Sequence, residues 1–338
     1  MEALQAEIIA GEYTDRRYLD VAENILSHIK AEPENMKHYT ALYSVLSSMN
    51  NCAEKWRYSE TLKRYCTERI IQNKSKDASS LFKAVLLLEA QGLRLDSYMQ
   101  YIELQRDPEK RFWIPRRKQL EPVCRAMQKL VDGELDILSI SVPPGCGKST
   151  VEIFLHSMMI GAFPDSCSLA SGHSGTLTNS IYDGVNSILS DPDYLWHDVY
   201  PAAGTIITNA KEQTIDLGKK HRFSSLTCRA IGASLTGATR CEKLLTADDL
   251  VSGIEEALSI DRLDKLWTAY TNDLKSRKKL NCKELHIATR WSVHDPIGRL
   301  QTMYADSPKA QFLVMPAVDE DGESNFNYRY GVGFDKAY

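Results

Sequence analysis

The residues with the clearest chemical promise lie together at Val142-Pro143-Pro144-Gly145-Cys146-Gly147-Lys148-Ser149-Thr150. They follow an apolar run, Ile137–Val142, and precede a helical pattern. In that setting glycines let the backbone fold into a nest whose N–H groups point at phosphate oxygens. The start of the helix adds a positive partial charge. Lys148 would reach the β/γ-phosphates, and the Ser149 hydroxyl is placed to ligate Mg²⁺. ATP and Mg²⁺ are therefore the expected ligands, cradled by Pro144, Gly145, Cys146, Gly147, Lys148, Ser149 and Thr150. The full phosphate-loop pattern has Gly where this chain has Val142. The competing reading is a chance Gly-Lys-Ser on a strand-to-helix turn.

Such a loop needs an acidic strand end to hold the metal and orient water. Lys243-Leu244-Leu245-Thr246-Ala247-Asp248-Asp249-Leu250 supplies one, about 100 residues downstream. Asp248 would bind Mg²⁺, and Asp249 would polarise the attacking water. Asp-Asp after apolar residues is also a common turn or helix cap. Glu255 and Glu256 are the alternative water-activating carboxylates.

The elements that must position these groups fall into two regions. Residues 1–105 read as helical, with Tyr18, Val21, Ala22, Ile25, Leu26 and Ile29 at helical spacing. Ser79–Ala90 is a second strong helix, with Gly92 as its C-cap. Aromatic residues here are spaced as core, which suggests a packing or docking region. Asp107 to Gln119 is basic and turn-rich, and its two prolines disfavour a continuous helix. Beyond it, strands are expected at 137–142, 166–171, 227–231, 243–246, 285–288 and 312–315. Helices are expected at 149–160, 175–189 and 255–279. Alternation of this kind predicts an α/β fold with a mostly parallel sheet flanked by helices.

Composition narrows the class. The chain has 338 residues, 41 basic and 45 acidic, for a formal charge of −4, with 43% apolar and 25% charged residues. That is an ordinary globular mix. There is no apolar run of about 18 residues and no signal-peptide pattern, so no membrane association is expected. Eight scattered cysteines without a C-x-x-C pair argue for reduced thiols in a cytosol, against a zinc site or disulfide framework. No histidine pairs with a cysteine or carboxylate at ligand spacing. Lys219-Lys220-His221-Arg222 and Lys275, Arg277, Lys278, Lys279 and Lys283 form basic clusters; a solvated face is the default for each.

Three stretches together resemble the large terminase subunit of tailed bacteriophages, the ATPase that pumps DNA into procapsids. They are the proline-led loop Pro143–Ser149, the turn Gly232-Ala233-Ser234-Leu235-Thr236-Gly237 before Asp248-Asp249, and Ala288-Thr289-Arg290-Trp291-Ser292-Val293-His294-Asp295-Pro296-Ile297-Gly298-Arg299-Leu300. The last is the most specific, being similar to the family's Thr-Arg-Trp coupling motif. The resemblance spans roughly 107–318. It implies a RecA/ASCE-like P-loop NTPase with Lys148, Asp249, Thr289 and Arg290 as catalytic residues. Thr289 and Arg290 would couple the γ-phosphate state to subdomain motion. Trp113, Pro115 and Gln119 would contact adenine. Many members carry an arginine one residue before Cys146, where this chain has Gly145. Another cation would then be needed, with Arg229, Arg240, Arg290, Arg299 or the Lys219–Arg222 cluster as candidates, or a neighbouring subunit.

The resemblance further implies weak, sequence-independent contact with double-stranded DNA, a portal protein and small terminase subunit as partners, and a homo-oligomeric ring. The location would be the host bacterial cytoplasm, transiently at the procapsid portal vertex. Family members carry a C-terminal nuclease. Residues 106–318 are the expected ATPase domain, and 319–338 the expected polar linker toward a nuclease domain that is not expected in this chain. A helicase-like P-loop ATPase outside packaging is the alternative. A helical adaptor with a degenerate nucleotide fold is a third reading, supported by Val142 alone.

Overall fold

The computed structural model describes residues 2–233 and 240–328, and the chain divides into two compact units, Met1–Tyr101 and Ile102–Tyr338. The first is helical: α1 (Glu2–Ala31), α2 (Met36–Ser48), α3 (Ala53–Asn73), α4 (Lys76–Gln91) and α5 (Leu95–Ile102). Local chemistry sets the boundaries. The Asn35 side chain accepts Lys37 N at the start of α2, and Ser75 Oγ accepts Ala78 N at the start of α4. Leu42, Leu46, Leu62 and Val85 are fully buried between the helices. Gly92 does cap α4, but with φ −85° rather than a left-handed conformation. Its lack of a side chain serves packing, because a Cβ there would lie 2.2 Å from the Trp56 ring.

The second unit holds the sheet. After a 3₁₀ turn at Pro108–Lys110 come α6 (Trp113–Val131), β1 (Ile137–Ser141), α7 (Lys148–Ala162), β2 (Ser168–Gly172) and α8 (Gly175–Ser190). Then follow α9 (Trp196–Val199), β3 (Ile206–Asn209), β4 (Thr214–Leu217), β5 (Leu226–Ala230) and β6 (Leu244–Asp248). The remainder is α10 (Ile254–Ala257), α11 (Ile260–Ala269), β7 (Lys283–Ala288), α12 (Pro296–Met303) and β8 (Ala310–Val314). The eight strands lie in the order β3-β4-β5-β2-β6-β7-β1-β8. Along that order pairing is parallel from β5 to β8, while β4 runs antiparallel to both of its neighbours, β3 and β5.

β1, β2 and β6 are buried along their whole length, as parallel strands covered on both faces require. α7 packs on one face through Thr246. Leu245 and Ala247, neighbours of Thr246 that point the other way, join Leu263, Leu266 and Leu300 of α11 and α12 in a separate core cluster. Among the described helices none is long and apolar enough to cross a membrane.

Three expectations need correction. The 107–119 segment is mostly helical, because α6 begins at Trp113 and runs through Pro115 and Pro122. Pro115 falls in the first turn, where its missing N–H costs nothing. The neighbouring orphan donors, Phe112 N and Trp113 N, are both taken by the Glu103 carboxylate at 2.8 Å. The single helix expected at 255–279 is instead broken into α10, α11, a π turn at Tyr270–Leu274 and a 3₁₀ turn at Lys275–Arg277. Residues 319–328 are not a free polar linker: they turn back and bury Phe326 and Tyr328. Residues 329–338 of that stretch lie outside the described residues, as do Ser234–Gly237 of the glycine-flanked turn.

Candidate active site

The strand order places one element, β7, between the loop-bearing β1 and the Asp-ending β6. Connections leave β1 toward β2 on one side, while β8 lies on the other. The crevice at such a switch point, outside the carboxyl ends of parallel strands, is where open α/β sheets bind ligands. Register brings the ends together: Ser141 pairs with Ala288, and Asp248 pairs with both Ile287 and Gly172.

From these ends the predicted residues converge. Lys148 opens α7 after Gly147, whose φ of +96° is open to glycine and strained for other residues. A Cβ at Gly147 would also lie 2.7 Å from the Phe112 ring. Lys148 Nζ reaches across to Asp249 Oδ2 at 2.8 Å, and donates to Asp249 Oδ1 at 3.0 Å and Thr289 Oγ at 3.2 Å. Thr289 N donates to the same Asp249 oxygen at 3.0 Å. Ser149 Oγ donates to Asp248 Oδ2 at 2.6 Å. Pro144 and Gly145 are exposed in the loop, Cys146 is buried, and Thr150 is half-buried in the first turn of α7.

Asp249 has a φ of +40°, rare for a residue with a side chain. The conformation is held from several directions. Its N donates to Ile287 O at 2.8 Å, and its carbonyl is 2.8 Å from His173 Nδ1. Strain so over-determined is a recurrent feature of reactive sites.

Asp248 is buried, and its Oδ1 has no partner. Burial and the nearby Glu152 push its carboxyl well above the usual range, against the Ser149 hydrogen bond. One buried, under-satisfied carboxylate beside a serine hydroxyl fits a Mg²⁺ that keeps water and substrate phosphate as its other ligands. Among the described residues no cluster of three or more acidic, histidine or cysteine side chains could hold a metal alone.

Other predicted residues stand elsewhere. Trp113 is fully buried, so its ring has no free face for a base, and the adenine-stacking expectation for it is withdrawn. Phe112 and Arg116 occupy the loop side instead; the Arg116 guanidinium lies 4.7 Å from the Phe112 ring centre. Gln119 Nε2 donates to Asn327 O at 2.6 Å. Arg290 turns toward α12: its Nε is 3.5 Å from Asp295, and Nη1 donates to Gln301 at 3.0 Å. Arg229 pairs with Glu212, Arg240 with Glu242 and Arg299 with Asp264. These four candidate arginines are thus already engaged. Glu256 is tied to its own turn through Ser252 N and Oγ, and Glu255 is exposed.

Several site neighbours escaped the sequence reading. Glu152 is fully buried one turn after Lys148. It accepts a hydrogen bond from Thr246 Oγ, which also lies 2.9 Å from His156 Nε2. Burial pushes Glu152 up to about 7 and His156 down to about 3. His156 stands 3.7 Å from Glu152, and His286 stands 2.8 Å from Glu284, so histidine–carboxylate pairs do exist. Their spacings, i,i+4 on a helix and i,i+2 on a strand, were visible signals. A scan against protein-family models finds no match, and neither does a search of curated proteins.

Proposed function

We propose that this chain is a Mg²⁺-dependent P-loop ATP hydrolase, the motor ATPase of a terminase large subunit that drives double-stranded DNA into a procapsid. The observation that carries the catalytic part is the pair of contacts spanning β7, Lys148–Asp249 and Ser149–Asp248. Lys148, which would bind phosphate, and Ser149, which would bind metal, each lie within hydrogen-bond reach of the Asp248-Asp249 pair, which supports that reading. Bound Mg²⁺ would neutralise developing charge on the transferred phosphoryl group, held by Ser149 and Asp248.

The chain's own residues do the rest. Nucleotide entry requires Lys148 to exchange Asp249 for phosphate oxygens. That exchange frees the Asp249 carboxylate to polarise water. Thr289, already bound to both residues, registers the exchange at the end of β7. Arg290, one residue on, carries it through Asp295 to the start of α12. The DNA, portal, small-subunit and ring assignments, and the portal-vertex location, rest on the resemblance of the Thr289–Leu300 stretch and its companions.

The test is phosphate release from Mg-ATP by the purified chain beside Lys148→Ala and Asp249→Asn. Losses of about 10²–10³-fold are expected for both. Equal turnover in all three proteins refutes the site. Stimulation of wild-type turnover by duplex DNA with portal and small subunit present separates the packaging motor from an ATPase of another kind.

A further inference from the structure

After β8 the chain makes a compact reversal. Asp319 N donates to Glu323 O at 2.8 Å, and Asn325 Nδ2 donates to Pro316 O at 2.9 Å. The reversal delivers Phe326 and Tyr328 to buried positions, their rings edge to face at 6.3 Å. Gln119 anchors the strap through Asn327 O. The Tyr328 ring lies 5.4 Å from the Arg116 guanidinium, and its hydroxyl donates to Cys146 O at 2.7 Å.

That last bond acts on the glycine loop directly. The Cys146–Gly147 peptide is trans, so its C=O and the Gly147 N–H point in opposite directions. Holding the carbonyl toward Tyr328 fixes the N–H on the far side. Gly147 would otherwise be free to turn, since glycine accepts either sign of φ. The loop is tethered once more within itself, by Cys146 Sγ donating to Pro143 O at 3.0 Å. Burial keeps the Tyr328 phenol protonated and so a donor across the ordinary pH range.

We propose that Tyr328 is a positioning residue for the nucleotide: its hydroxyl orients the Cys146–Gly147 peptide and thereby aims the Gly147 N–H at the β-phosphate. This rests on reading the loop as a phosphate site. Tyr328→Phe removes only the hydroxyl and keeps the ring between its neighbours. In the full chain, Mg-ADP affinity measured by calorimetry should weaken about threefold to tenfold, while AMP affinity stays unchanged and the nucleotide-free melting temperature falls no further than in Phe326→Leu. Phe326→Leu is the packing control: it should lower the melting temperature and keep ADP affinity. Tyr328→Phe with wild-type ADP affinity, or with an ADP loss matched by Phe326→Leu, overturns the inference alone. A wild-type chain that binds neither ADP nor ATP overturns the phosphate-loop reading and takes this inference with it.

Discussion

Two buried glutamates, one on each face of the same sheet, meet opposite fates. Thr246 pairs with Leu285, so Glu284, the next residue along β7, points away from Thr246 and its partner Glu152. Each glutamate has a histidine nearby. Glu284 also receives the Tyr270 hydroxyl and the Lys278 ammonium. Burial works against its charge, but His286 and Lys278 outweigh it and hold the carboxyl far below the usual range. Glu152 has only Thr246 on one oxygen, and its other oxygen has no partner. The nearest ammonium in its helix, Lys148, is committed to Asp249. Burial therefore wins, and Glu152 carries a proton to about pH 7. The difference shows that a buried acid's charge is set by whether a cation can be spared for it. At the candidate active site that cation, Lys148, is held by Asp249.

The contrast can be attacked from several sides. The largest effect should come from Glu284→Ala, which strands Lys278 without its partner and leaves Tyr270 unsatisfied. A loss of about 3–5 kcal/mol is expected by denaturant unfolding; a loss under 1 kcal/mol would mean the pair is not a unit.

Next is Glu152→Gln, which keeps the Thr246 bond and removes titration. In the wild type, the folded state holds a proton between pH 4.5 and 7 that the unfolded chain has released. Stability contributed by this group therefore falls as pH rises through that window, by about 3 kcal/mol in all. The variant should gain on the wild type by that amount from pH 4.5 to 7.5; a pH-independent gap breaks the comparison. His156 acts oppositely. Its depressed value makes stability fall as pH drops from 6.5 toward 3. That loss should be present in both proteins.

The smallest effect belongs to Thr246→Val, which strands Glu152 and His156 together at a cost of about 1–3 kcal/mol. Any rise in its Mg-ATP turnover would show that the buried chain restrains Asp248, two residues along β6.

Much of this architecture was legible in the sequence. The six parallel strands were legible as short, largely apolar runs between helical patterns, because strands with helices on both faces are rich in apolar residues. The β3–β4 hairpin was missed, since Ile206–Asn209 is largely exposed and carries little apolar pattern. The start of α6 was misread because the group that satisfies its first donors, Glu103, lies about ten residues earlier and is not a local cap. Thr246, a polar residue within the apolar run of β6, joins Glu152 to His156. Only its neighbours in space explain it.

The loop residues and the Asp pair could be proposed from residue types, spacing and their strand-to-helix setting, and Thr289 from the resemblance of its stretch to a family motif. Their convergence could not. Lys148 and Asp249 are 101 residues apart, and Lys148 and Thr289 are 141 apart. They meet because β6, β7 and β1 lie side by side in parallel, with their carboxyl ends at one edge of the sheet. The partners of each arginine and the return of Tyr328 to the loop were likewise settled only by tertiary structure. Contact between distant side chains depends on the path of the whole chain, and no local pattern encodes it.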